Sequence, residues 1–189
     1  AMETSARAAP DGYTLLLGTT NLTVLPSMTR VAYDPVRDFV PVSLMATSAN
    51  LLLVNPAVEA RTLQQLLALA RARPGQLNYA SGSVASSSQL AAELLKSMAR
   101  VNITHIPYKG AGPALVDLLA GQVQIMFSNP AASAAHVRTG KLRALAATSE
   151  KRLPEFADLP TVAESGLPGY EASTWWGILA PRGTPAAVI

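Results

Sequence analysis

The sequence predicts an α/β fold. Strand-like apolar runs alternate with helix-like runs along the whole chain. Polar loops at the carboxyl ends of several strands lead straight into helix starts. The 189 residues are 49% hydrophobic and only 14% charged, enough apolar material for a sizeable core and too little charge for a disordered chain.

The elements follow in order. Residues 1–12 read as the end of a helix running into a turn, and Tyr13 to Leu17 as a short strand that ends in a small polar loop, Gly18-Thr19-Thr20-Asn21. Phe39 to Met45 and Asn50 to Val54 read as strands, the second broken by Asn55-Pro56 because a residue before proline avoids the helical region. Thr62 and Gln65 form a capping box for a helix with Leu63, Leu66, Leu67 and Ala70 on one face, ended by Pro74-Gly75. A strand from Leu77 to Ala80 enters the serine-rich stretch Ser81 to Ser88. There Ser86 and Gln89 form a second capping box, for a helix expected to turn Leu90, Leu94, Leu95 and Met98 to the core. Ile103 to Ile106 is a strand, followed by a helix from Pro113 to the cap Gly121. Val123 to Phe127 is a strand with Ser128-Asn129 at its carboxyl end, and Pro130 opens a helix that closes at Gly140. Leu142 to Thr148 and Trp175 to Ala180 are the last strands, separated by an irregular stretch from Pro154 to Gly169. The final Ala-Ala-Val-Ile reads as another helix start, so both ends read as cut.

Most catalytic chemistries lack support. No cysteine is present, which removes disulfides, thiolate nucleophiles and cysteine-bound metals. His105 and His136 stand in different elements without metal-ligand spacing and read as structural or surface residues. G-x-S-x-G, S-x-x-K, a phosphate loop and G-x-G-x-x-G are all absent, and the acidic residues are spread singly. No apolar run is long enough to span a membrane. The net charge of +3 comes from scattered residues with no nucleic-acid motif, a solvated surface with a slight excess suited to anionic ligands. No cofactor and no metal is expected.

What remains is binding. Ser81-Gly82-Ser83-Val84-Ala85-Ser86-Ser87 joins hydroxyls and small side chains to a helix start, where free N–H groups and the positive end of the dipole favour a carboxylate.

The order of the segments resembles the Bug, or TctC, family of solute receptors for tripartite tricarboxylate transporters. The resemblance rests on Pro10-Asp11-Gly12-Tyr13-Thr14-Leu15, Tyr33-Asp34-Pro35 and Asp38-Phe39-Val40-Pro41-Val42. It continues with Arg73-Pro74-Gly75, Tyr79-Ala80-Ser81, Ile106-Pro107-Tyr108-Lys109-Gly110 and Ala120-Gly121-Gln122-Val123. Gly140-Lys141-Leu142-Arg143-Ala144, Leu159-Pro160-Thr161-Val162-Ala163-Glu164 and Ala180-Pro181-Arg182-Gly183 complete it. It implies a periplasmic binding protein type II-like fold with two lobes and a ligand cleft between them. Residues 1–54 and 178–189 would form part of lobe 1, and 55–177 lobe 2. The family's opening strand, its Pro-Gly-Gly loop and its C-terminal end would lie outside this chain. The resemblance also implies a periplasmic, non-enzymatic receptor that hands a small organic acid to membrane permease subunits. The alternative is a ligand-sensing module of a regulatory protein. Ligand contacts would map to Gly18, Thr19, Thr20 and Asn21, to Ser81, Gly82, Ser86 and Ser87, to Tyr108 and Lys109, and to Ser128 and Asn129. Two departures stand out. Ser83, Ala85 and Gln89 replace the glycines and histidine usual in the serine loop. Ser128 replaces a frequent aspartate, which favours a plain organic acid over an amino acid.

Overall fold

A computed structural model describes residues 1–189. The chain divides into two compact units, one of residues 1–48 with 174–189 and a larger one of residues 49–173. The expected division after residue 54 falls elsewhere for a physical reason. Residues Leu51–Val54 pair on both sides with strands of the larger unit and are wholly buried there.

The smaller unit holds α1 (Met2–Ala6), β1 (Leu16–Thr19), α2 (Thr20–Met28), β2 (Phe39–Ala49, its last residue in the other unit) and the bulk of β8 (Ser173–Pro181). Its sheet has the order β1-β8-β2, with β1 antiparallel to β8. Leu16, Leu22, Tyr33, Phe39 and Leu179 form its core.

The larger unit carries β3 (Leu51–Val54), α3 (Leu63–Ala72), β4 (Asn78–Ser81), α4 (Ser87–Ala99), β5 (Thr104–Pro107), α5 (Ala111–Leu119), β6 (Ile125–Ser128), α6 (Pro130–Arg138) and β7 (Arg143–Ala147). Its sheet has the order β5-β4-β6-β3-β7. β4 runs parallel to β5 and β6, whereas β3 runs antiparallel to β6 and β7. Alternate side chains of β3 face opposite cores. Leu52 and Val54 join the face covered by α3 and α4, and Leu51 and Leu53 the face covered by α5.

Both capping boxes form, with one shared departure. Thr62 and Ser86 accept from the N–H of Gln65 and Gln89, but each glutamine reaches back one residue beyond the cap, to the N–H of Arg61 and of Ala85. The expected core face of α4 is corrected. Ala91, Ala92, Leu95 and Ala99 are buried, while Leu94 and Met98 are exposed and line its outer side with Leu90 half-buried. Small alanines let the helix lie close to the sheet, so Leu94 and Met98 turn outward.

Candidate functional site

Strand direction decides where the candidate residues fall in the larger unit. The registers Leu51↔Ser128, Leu51↔Ala147 and Ser81↔Pro107 place the carboxyl ends of β4, β5, β6 and β7 at one end of the sheet, beside the start of β3. Because β4, β5 and β6 are parallel and each leads directly into a helix, the N-termini of α4, α5 and α6 sit at that same end. α4 packs on one face of the sheet and α5 on the other, so the chain parts at β4, where open α/β sheets leave a binding crevice.

The serine loop occupies this position. Ser81 is fully buried, and its hydroxyl donates to the Ser83 carbonyl at 3.1 Å. The same oxygen lies 2.6 Å from His105 Nε2, a hydrogen bond between the serine loop and β5. The Ser86 hydroxyl also donates to the Ser83 carbonyl, at 2.7 Å, and accepts from Ser88 Oγ and from the Gln89 N–H. Ala85, buried and donating its N–H to Gln89 Oε1, sits at φ 61°, a left-handed conformation that costs a Cβ-bearing residue energy. The Ser81 and Ser86 hydroxyls therefore hold the loop's shape. The donors left at the helix start are the Ser87 hydroxyl and the first N–H groups of α4, those of Ser87 and Ser88, which have no acceptor within a helix.

His105 is braced from behind. Its ring stacks on Tyr79 at 4.7 Å between centroids, the Tyr79 hydroxyl donates to Glu93 at 2.6 Å, and Lys96 pairs with Glu93 at 2.8 Å. Burial of His105 lowers its pKa from the usual 6.5, against the pull of Glu93 and with the push of Lys96. Burial alone would raise Glu93, but its bonds from Lys96 and Tyr79 bring it below the ordinary carboxyl value. The two groups act in different windows. A histidine with a depressed folded pKa binds fewer protons folded than unfolded, so its contribution is present above 6.5 and is lost as pH falls through 6.5 to the folded value. Glu93 contributes above its usual 4.5 and loses that only in more acid solution. The thermal midpoint is therefore expected to fall between about pH 7 and about pH 5, and less steeply in a His105→Gln variant. Equal slopes for the two proteins, measured by calorimetry, contradict this.

The other expected residues divide. Tyr108 and Gly110 donate their N–H groups to the carbonyls of Ser81 (2.9 Å) and Gly82 (2.7 Å), which holds this segment against the serine loop. The Tyr108 hydroxyl, however, is taken by Asp117 at 2.7 Å, and Lys109 is exposed. Ser128 is buried at the end of β6, and Asn129 caps α6 by accepting from the Ala131 N–H. In the smaller unit the expected polar loop is corrected. Gly18 and Thr19 belong to β1, while Thr20 and Asn21 open α2. Gly18 faces the core, where a Cβ would meet Leu179 at 2.4 Å and Leu22 at 3.2 Å, and the Thr20 hydroxyl is buried without a partner.

The sequence reading left out four residues at this end of the larger unit. His105 is one. Thr148 Oγ1 accepts from the Asn50 N–H at 2.8 Å and donates to the Ala172 carbonyl at 2.6 Å. Asn50 Nδ2 and Ser149 Oγ are buried without a hydrogen-bond partner. Their position depends on β3 running antiparallel, for which a single apolar run gives no signal.

This arrangement is that of a periplasmic binding protein type II-like fold, and solved structures agree. An R. palustris protein, Rpa4515, determined with adipate, superposes with a TM-score of 0.91 at 39% identity over 98% of this chain and 63% of its own. MatC from Rhodopseudomonas palustris, with bound malate, gives 0.89 at 34% identity over 98% of this chain and 64% of its own. Among curated proteins, the chain is 42% identical to a UPF0065 protein of the tcbD-tcbE intergenic region of Pseudomonas sp. strain P51, over 97% of this chain and 55% of that protein. It is 39% identical to BugT of Bordetella pertussis, over 99% of this chain and 58% of that protein. The model of the tripartite tricarboxylate transporter family receptor, TctC, matches residues 1–189. The chain belongs to this family, which is one of solute receptors and not of enzymes. It spans less than two thirds of the length of these relatives. No helix is long and apolar enough to cross a membrane.

Proposed function

We propose that the protein is a periplasmic receptor that captures a small organic carboxylate and delivers it to the membrane permease subunits of a tripartite tricarboxylate-type transporter. The observation that carries this reading is the convergence of the α4, α5 and α6 N-termini at one end of the sheet, beside a loop whose Ser81 and Ser86 hydroxyls are spent on its own shape. The Ser87 and Ser88 N–H groups and the Ser87 hydroxyl would then grip one carboxylate, with Gly82 giving close approach and Tyr108, Lys109, Ser128 and Asn129 bordering it. In the smaller unit, Gly18, Thr19, Thr20 and Asn21 are proposed as further ligand contacts.

Each helix N-terminus supplies about 0.3–1 kcal/mol toward an anion, and more where water is excluded. Micromolar binding needs about 8 kcal/mol, so several such donors must act together. The relatives solved with adipate and malate support a dicarboxylic acid. Ser128, where an aspartate would pair an ammonium group, supports an acid without an amino group.

Calorimetry with adipate, malate and aspartate tests this. A diacid is expected to bind at micromolar concentration or below, and aspartate at least about tenfold more weakly. In Ser86→Ala, loss of the cap should cost about 1 kcal/mol of stability and weaken diacid binding as well. Absence of binding by any of the three acids, or a preference for aspartate, overturns the reading.

A further inference from the structure

The basic excess of this protein is local. At the end of the larger unit's sheet away from the serine loop lie Val54, Asn78, Thr104, Ile125 and Arg143, fixed there by the registers Val54↔Ile125, Val54↔Arg143 and Asn78↔Thr104. The turns and helix ends that meet this rim carry Arg71, Arg73, Arg100 and Arg138, together with Arg61, Lys141 and Arg143. Glu59 is the one acidic residue in the same turns. Seven of the fifteen basic residues and one of the twelve acidic ones thus give the rim +6, against +3 for the whole chain, and the remaining residues sum to −3. Outside these turns, Asp117 accepts from the Tyr108 hydroxyl, and Glu155 and Asp158 line a separate cleft at the β7 edge with Val137 and Ala144. All seven basic residues are exposed except the half-buried Arg143, and none takes part in an ion pair.

Helix dipoles account for part of this. Arg71, Arg73, Arg100 and Arg138 stand at the carboxyl ends of α3, α4 and α6, where a cation is favoured. The same rule works against Arg61, which precedes the N-terminus of α3, and does not reach Lys141 or Arg143 at the start of β7. Arg61 and Arg143 flank an open cleft of about 390 Å³, which Gln65 and Glu59 also line. Arg143 is fixed in it, its Nη1 donating to the carbonyls of Val58 (3.2 Å) and Ala60 (2.9 Å). A guanidinium held in place with donors to spare is suited to receive a carboxylate in a two-point contact.

We infer that this rim is a docking surface for an acidic protein face, with an Asp or Glu side chain of the partner seated between Arg61 and Arg143. Six of the seven cations are arginines, the residue of carboxylate forks. The rim spans the ends of five strands, roughly 20 Å, a breadth that fits a protein face. Its turns carry no exposed large hydrophobic side chain, and Met98 at the end of α4 is a single such group beside Arg100, too little to anchor in a bilayer. Because the rim lies at the far end of the sheet from the serine loop, a partner there leaves that loop uncovered. The inference stands independently of the ligand.

Fluorescence anisotropy with a labelled Glu-rich peptide at low salt tests it, beside phosphatidylcholine vesicles with and without phosphatidylglycerol and a duplex DNA. The double variant Arg61→Glu/Lys141→Glu removes no hydrogen bond made by these side chains and should fold as the parent does. Its affinity for the peptide should drop about tenfold or more, while Arg37→Glu/Arg182→Glu in the smaller unit should change little. Arg143→Gln, checked for an unchanged melting temperature, should weaken binding as well. The inference fails if the peptide does not bind or if the rim and control variants lose equally. It fails too if the anionic vesicles or the DNA bind more tightly than the peptide, which would assign the rim to lipid or nucleic acid.

Discussion

Alanine at position 82 is expected to remove most carboxylate binding while leaving the larger unit folded. A Cβ on Gly82 would stand 2.9 Å from the Ala111 nitrogen and 3.2 Å from both Ala111 Cα and the Gly110 carbonyl carbon. These are backbone atoms at the start of α5, so no side-chain rotation relieves the contact. The two segments are also tied by the N–H groups of Tyr108 and Gly110 on the carbonyls of Ser81 and Gly82. One of them must shift, and either shift separates the α4 and α5 N-termini that the proposed site needs together. Overpacking of this kind costs about 1–3 kcal/mol of stability. Affinity should fall further, by about tenfold or more, because donor geometry at a carboxylate tolerates little displacement. Gly112→Ala supplies the control. Its Cβ meets nothing within 4 Å in the same helix start, so binding and melting temperature should both stay near the parent values. A Gly82→Ala protein that binds adipate as tightly as the parent would remove the serine loop from the site.

The parts of this structure written in neighbouring residues were legible in the sequence. Thr62 with Gln65 and Ser86 with Gln89 announce their helices because a cap and its partner lie three residues apart. α2 escaped because Thr19 offers no side-chain cap, Pro26 lies inside the helix, and its β-branched residues favour a strand or loop. The face of α4 escaped for a different reason. Leu90, Leu94 and Met98 make the stronger apolar stripe, but the sheet receives the alanine side, and only the space between layers decides that. The serine loop was legible as a helix start. What its hydroxyls do was not, because the imidazole that engages Ser81 comes from β5, twenty-four residues away. The whole β3 side of the site, with Asn50, Thr148 and Ser149, depends on strand order and direction.

Thr148 is where that long-range dependence should be most costly to disturb. It is fully buried at the end of β7, and its main chain and side chain bind two distant segments at once. Its N–H donates to the Asn50 carbonyl and its own carbonyl accepts from the Ala172 N–H, each at 2.9 Å, while Oγ1 bridges the Asn50 N–H and the Ala172 carbonyl. Asn50 and Ala172 lie just inside the two points, 48/49 and 173/174, where the chain passes from one unit to the other. Thr148→Val keeps the volume and leaves the buried Asn50 N–H and the partly buried Ala172 carbonyl each without this partner. At about 1–3 kcal/mol for the buried N–H and about 1 kcal/mol for the partly buried carbonyl, the loss should be about 2–4 kcal/mol, or roughly 5–15 °C in melting temperature for a domain of this size. Thr148→Ser keeps the hydroxyl and gives up only a methyl group, so it should lose about 1 kcal/mol. Differential scanning calorimetry separates the two outcomes. If Val loses no more than a few tenths of a kcal/mol, about what a neutral surface change costs, the bridge does not matter. If Val loses several times more, one hydroxyl fixes both crossing strands to the larger unit, and ligand association and release in the same variant should then change in rate as well as in affinity.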